Sequence, residues 1–250
     1  MAFQDPFATT QAYSQPQAAT GFDAGLRSYM LRIYNYMASA LALTGIVAML
    51  AAGSPAFMQA MYNVQGNHVG LSGLGWLVML APVGLVMWLS FGLQSLSVRA
   101  TQAIYWAYAV LIGLSLSSIF LAYTGTSIAR AFFVTAGTFG AMSLYGYTTK
   151  KDLTRMGSFL IMGLFGIIIA SIVNVFLHSS GLNFALSIMG VGIFIGLTAY
   201  DTQKLRDMYY QMGGGGDMAA KMSIMGALRL YLDFINIFLY MLRFMGDQRR

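Results

Sequence analysis

Between Met30 and Met245 the chain falls into roughly seven long apolar segments, and this constrains its fold more than any other feature. They are Met30–Ala52, Leu74–Gly92, Ala103–Ala122, Ile128–Tyr147, Gly157–Leu177, Leu182–Tyr200 and Met222–Met245. Each is close to the ~20 residues that cross ~30 Å of hydrocarbon as a helix. In lipid every backbone amide must find its partner within the protein, so only helices or a closed barrel can span. A barrel would show alternating segments of ~10 residues instead of continuous apolar runs. The chain therefore reads as an all-α polytopic membrane protein with one transmembrane domain over residues 26–250.

Composition agrees. Charged residues are 9% and hydrophobic ones 58%, with mean hydropathy +0.65, whereas a soluble domain is about 25% charged. The breaks are "GSP", "NVQGNHVG", "QSLSVR", "YTGT", "TTKKDLTRM", "HSSG" and "DTQKLRDMYYQMGGGGDMAAK". Ahead of them, residues 1–25 are rich in Gln, Ala, Thr, Ser and Pro and are expected to be a disordered tail. The tail lacks the basic start and apolar core of a signal peptide.

The net charge of +6 does not point to nucleic acid, because the basic residues sit in short breaks and form no basic face. It reads instead as orientation. With the amino end inside, the inner side collects Arg27, Arg32, Arg99, Lys150, Lys151, Arg155, Lys204, Arg206, Lys221 and Arg229, while outer loops hold only Arg130. The carboxyl end, with Arg243, Arg249 and Arg250, lies outside if the last segment spans and inside if it re-enters.

No cysteine is present, which removes disulfides, thiol nucleophiles and cysteine-zinc sites. Gly192/Gly196 and Ala136/Gly140 have the small-xxx-small spacing of close helix packing. The run Gly213 to Gly216 lacks the surroundings of a phosphate loop and reads as a flexible connection.

Glutamate is absent, and of the eight aspartates only Asp201 and Asp233 touch apolar segments. A charge at bilayer depth costs roughly 2.5–3.5 kcal/mol and normally has a partner. Asp233 lies about 16 Å into the last segment from Met222. Asp201 reaches a depth of about 10 Å if the sixth helix continues to about Met208, so the two acids can meet. Arg229, Asp233, Asn236, Tyr240 and Arg243 follow a 4-3-4-3 spacing that places them on one stripe. Such a stripe is expected to face protein or water. Spacing alone leaves two arrangements open. Asp233 pairs with Arg229 one turn earlier and Asp201 with Lys204 or Arg206, or the two acids form a coupled pair.

The blocks "AFFVTAGTFGAMSLYGYTTKKDLTRMGSFLIMGLFGIIIASIVNVFL", "IGLTAYDTQKL" and "ALRLYLDFINIFLYMLRFMG" closely resemble the Bax inhibitor family of transmembrane Bax-inhibitor-motif proteins and their bacterial relatives. The likeness covers Leu26 to Gly246. It implies seven transmembrane helices, the last at the centre of a ring of six. It also implies that Asp201 and Asp233 match the family's aspartate pair, the pH sensor of a calcium-permeable leak. Some relatives latch one aspartate to an arginine of the second helix. Here "LGWLVMLAPVGLVMWLSFG" has no basic residue, which leaves Arg99, Arg32 and Arg229 as substitutes.

Two carboxyls a few ångströms apart, away from water, share a proton and titrate in coupled steps. Calcium suits them because it is a hard ion that takes oxygen ligands; two carboxylates hold it transiently, short of the six to eight oxygens of a tight site. The expected function is a pH-sensitive calcium leak with no cofactor, calcium being the permeant ion. Its partners are lipid, calcium and protons, and its location a bacterial inner membrane with a cytoplasmic amino terminus. The alternative is a regulatory partner of membrane machinery such as a membrane-bound protease. An enzyme fits poorly. The "YD" at Tyr200–Asp201 matches half of an intramembrane aspartyl protease signature, but the Gly-x-Gly-Asp block is missing. His68 and His178, in an outer loop and at a helix end, do not suit a serine protease. A proton-coupled transporter ranks lower, because no internal repeat is visible.

Overall fold

The computed structural model describes residues 24–65, 68–212 and 216–247. The long helices are α1 (Ala24–Ala52), α3 (Gly73–Gly92), α4 (Val98–Leu116, continued by the short α5, Ile119–Ala122), α6 (Gly125–Thr148), α7 (Thr154–Leu177), α8 (Ser180–Met212) and α9 (Gly216–Met245). They make seven spans long and apolar enough to cross a membrane. Helix α1 begins at Ala24, two residues inside the stretch read as a tail; residues 1–23 of that tail lie outside the described residues, as do Gly213 to Gly215, Arg249 and Arg250.

The connection after α1 is more ordered than a break. It forms a short helix, α2 (Pro55–Met61), and an antiparallel pair of strands, β1 (Tyr62–Gln65) and β2 (His68–Leu71). Strands were excluded as spans, and these lie between spans, where short hydrogen-bonded pairing is free to form. Ser54 caps α2 with Pro55 in its first turn, and the Ser72 hydroxyl both donates to the Ala60 carbonyl and caps Gly75 at the start of α3. Ser97 and Thr124 cap α4 and α6 in the same way. At the start of α7 the Asp152 carboxylate accepts from the Thr154 amide at 2.8 Å. The hydrogen bonds from Thr154 hold this exposed carboxyl below its usual range.

The most apolar helix is the least buried and the charge-bearing last helix the most, because lipid accepts the first and rejects the second. Helix α7 has mean hydropathy 2.6 and is 6% buried; α9 has 1.4 and is 67% buried. The last helix is accordingly central. It packs on α1, α4, α6 and α8, whereas α3 leans mainly on α4 and α7 on α8. The ring of six is therefore uneven, with four helices in close touch with the centre and two outside them.

Two interior features hold this arrangement. Pro82 in α3 cannot donate to the carbonyl of Val78, and Ser115 of α4 donates to that carbonyl instead at 3.0 Å. Gly146 lets α6 approach α8 until a Cβ there would run into the Ala199 carbonyl. The small-residue pairs expected from spacing are not the closest approaches. Nothing lies within 4 Å of a Cβ built at Gly192 or Gly140, while one at Gly196 meets Leu160 at 2.6 Å. Spacing cannot separate a lipid-facing glycine from a packed one.

Helix α9 runs without interruption to Met245. Beyond it, the amide of Asp247 donates to the Ser127 hydroxyl at 3.0 Å and its carbonyl accepts from the Thr124 amide at 3.2 Å. The last segment thus spans rather than re-enters, and its end lies at the start of α6, on the face opposite the start of α1.

Candidate functional site

Helices α8 and α9 pack antiparallel, with Gly226 against Leu205, Arg229 against Asp201 and Gly190 under the ring of Tyr240. In that register Asp233 stands one turn farther along α9 than Arg229. Helix α8 continues well past Tyr200, to Met212, so Asp201 lies inside a helix and not at its end. The depth condition on the sixth helix is met.

Asp201 and Asp233 are neighbours across this interface, close enough for each carboxyl to feel the other's charge. Both are buried, at 8% and 4% exposure. Arg229 Nη1 donates to Asp201 Oδ1 at 3.3 Å. Asp233 Oδ2 is buried and receives no hydrogen bond from any donor among the described residues. The guanidinium of α9 therefore serves the acid on the neighbouring helix, and the acid on its own helix is left facing that carboxyl. Two carboxyls and one guanidinium form a site whose charge balances when a single proton is present and fails when it leaves.

Among the described residues the other basic candidates make no ion pair with either acid. Lys204 is exposed, its amino group 5.6 Å from the Tyr200 ring centre, and its charge still bears on Asp201 one turn before it. Arg206 pairs with Asp207 and donates to the carbonyls of Tyr147 and Thr149. Arg99 is exposed at the start of α4, and Arg32 is exposed on α1 beside a groove. Among the candidate latches, Arg229 is the residue on Asp201.

The stripe on α9 faces α8 in its upper part. Tyr240 lies against Gly190 and 6.0 Å from the Phe194 ring, and the Arg243 guanidinium sits 5.6 Å from the Tyr240 ring centre. Asn236 turns back to the Leu232 carbonyl on its own helix, at 2.8 Å. Arg229 also borders a cavity of about 270 Å³ between α3, α8 and α9, with Ser90, Leu93, Met208 and Leu232. Its side chain is 44% exposed, so the carboxyl pair has a cationic neighbour that reaches open space.

Several polar residues that hold the site in place were not singled out in the sequence. Tyr231, fully buried on α9, hydrogen-bonds Thr44 at 2.7 Å, and Thr44 donates to the Ala109 carbonyl at 3.0 Å, tying α9 to α1 and α4. Tyr34, Ser143 and Thr202 link α1, α6 and α8 at 2.6 and 3.0 Å, next to Asp201 in the chain. Buried Gln203 accepts from the Leu153 amide and donates to the Lys151 carbonyl, clamping the α6–α7 turn onto α8. Buried Lys221 donates to the carbonyls of Leu93 and Leu96 at the end of α3. Their signal was a polar side chain inside or beside an apolar run, which normally marks a contact between helices.

The family profile described as "Inhibitor of apoptosis-promoting Bax1" matches residues 26–250. This chain belongs to the Bax inhibitor family. It is 47% identical over 246 residues to Inner membrane protein YbhL of Escherichia coli (strain K12), covering 98% of this chain and 100% of that one. A protein of Rickettsia prowazekii (strain Madrid E) is 50% identical over 91% of this chain and 93% of its own length. One from Caulobacter vibrioides is 46% identical over 93% and 94%. The Bax inhibitor family assignment therefore rests on the whole bundle, the two-helix site included.

Proposed function

We propose that this Bax inhibitor family member is a pH-sensitive calcium leak of the bacterial inner membrane, gated by Asp201 and Asp233, and not an enzyme. The observation that carries this reading is the buried pair itself, with one guanidinium on Asp201 and no donor on Asp233 Oδ2. With one proton shared, the pair holds a single negative charge that Arg229 balances. With that proton gone, two charges face one guanidinium. The helices then separate, or a divalent cation enters. Calcium is suited to this because carboxylates are its preferred ligands. Among the described residues no third His, Cys, Asp or Glu joins the pair, which suits an ion held in passing, as conduction requires.

The inner membrane is supported by the relative named Inner membrane protein YbhL. A cytoplasmic amino terminus is supported by the basic residues at the helix ends on the face where α1 begins. The test is calcium flux into vesicles that contain this protein alone, across a range of pH. Wild-type flux should rise as the pair loses its shared proton, and Asp233→Asn should flatten that dependence. Flux that requires a second protein would favour a regulatory partner of a membrane protease. An unchanged profile in the variant would remove Asp233 from the gate.

A further inference from the structure

On the face where α1 begins, a groove of about 800 Å³ lies between α1, α4 and the first turns of α9. Arg27, Ser28, Arg32, Asn35, Gln102 and Trp106 line it, and among the described residues no aspartate does. Arg32 is exposed and makes no ion pair or hydrogen bond among the described residues. The floor is aromatic: Tyr36 accepts from Gln102 Nε2, and its ring centre is 6.1 Å from that of Trp106.

Around the other side of α1 runs an apolar seam of about 430 Å³ between α1 and α6, walled by Met30, Met37, Phe139 and Leu144. Arg27 and Leu31 border both groove and seam. On the α6 wall of the seam, a Cβ at Gly140 would meet nothing within 4 Å, so the space in front of it is open. Helix α1 has 29 residues, roughly 43 Å of helix. That exceeds ~30 Å of hydrocarbon and leaves its first turns at headgroup level.

We propose that the groove and seam together hold one anionic phospholipid, with its phosphate on Arg32 and Arg27 and an acyl chain in the α1–α6 seam. A guanidinium matches phosphate geometry with two parallel donors, and a bilayer surface supplies phosphate at that depth. The neighbouring seam is what selects an amphiphile over a free anion. A soluble phosphate would use the basic mouth and leave the apolar wall unfilled, whereas a lipid covers both.

The test uses the full chain in detergent with Trp76→Phe and Trp88→Phe, two exposed positions on α3, so that Trp106 is the only reporter. Brominated phosphatidylglycerol should quench Trp106 at lower concentration than brominated phosphatidylcholine, and inorganic phosphate should not displace it. Arg32→Gln should weaken phosphatidylglycerol by roughly fivefold, the worth of one basic residue at an anionic surface, with phosphatidylcholine unchanged. Arg32→Lys should restore most of the loss. Gly140→Leu, which fills the seam, should weaken the lipid while leaving the helical circular dichroism intact. Equal quenching by the two lipids, displacement by inorganic phosphate, or no effect of Arg32→Gln would each overturn the proposal.

Discussion

Arg229 decides the state of its neighbours because it reaches across to α8 instead of back along its own helix. A guanidinium bound to Asp233 would have left an ordinary pair one turn apart, modest in energy. Bound to Asp201, it leaves Asp233 with a carboxyl for company. In the proposed leak, Arg229→Gln removes a positive charge that would compete with calcium for the pair. Flux at mildly alkaline pH should then rise about fivefold, given that a half-exposed ion pair is worth up to about 1 kcal/mol. Flux measured in the same vesicles checks this, and a fall would show that the arginine holds the path open. Tyr231 makes a quieter contribution. Thr44 gives its proton to Ala109, so the Tyr231 hydroxyl must donate to Thr44. Tyr231→Phe removes that donor and strands no proton, so the cost should be small, about 0.5–1 kcal/mol in detergent-titrated unfolding.

Between elements, the α8–α9 register depends on close approach as well as charge. Gly190 admits the Tyr240 ring and Gly146 admits the α8 backbone, and neither helix can move far without losing the level at which Asp201 and Asp233 meet. Gly146→Val would place a branched side chain against the Ala199 carbonyl, an obstacle of backbone that cannot rotate away. It should destabilise the bundle by about 1–3 kcal/mol, as overpacking does. Gly137→Ala on the same helix, where a Cβ meets nothing within 4 Å, should be neutral or slightly stabilising in the same unfolding measurement. A comparable loss at both positions would mean that glycine itself, and not the contact, matters in α6.

At the scale of the whole molecule, the bundle sorts its helices by what lipid will accept. The helix with Lys221, Arg229, Asp233 and Asn236 goes to the centre, and the one with Phe159, Phe165 and Phe176 stays outside. Seven crossings put the start of α1 and the end of α9 on opposite faces. Since the chain has no cysteine, single substitutions report sidedness directly. In cells, Asp247→Cys should react with an impermeant thiol reagent added outside, and Asp152→Cys only after permeabilisation. The reverse pattern would invert the proposed orientation, and reaction of both from outside would contradict the seven-span arrangement.

The number and approximate limits of the spans are legible in the sequence, because continuous apolar length is a local property that lipid reads directly. The sequence also singled out Asp201 and Asp233, since an acid inside such a run is conspicuous whatever surrounds it. Which cation belongs to which acid, which glycines are packed, and that the last segment crosses completely emerge from the folded bundle. Those outcomes depend on the rotation and register of one helix against another. A spacing of three or four residues fixes a face, but the helix that occupies it is chosen by the packing of the whole bundle.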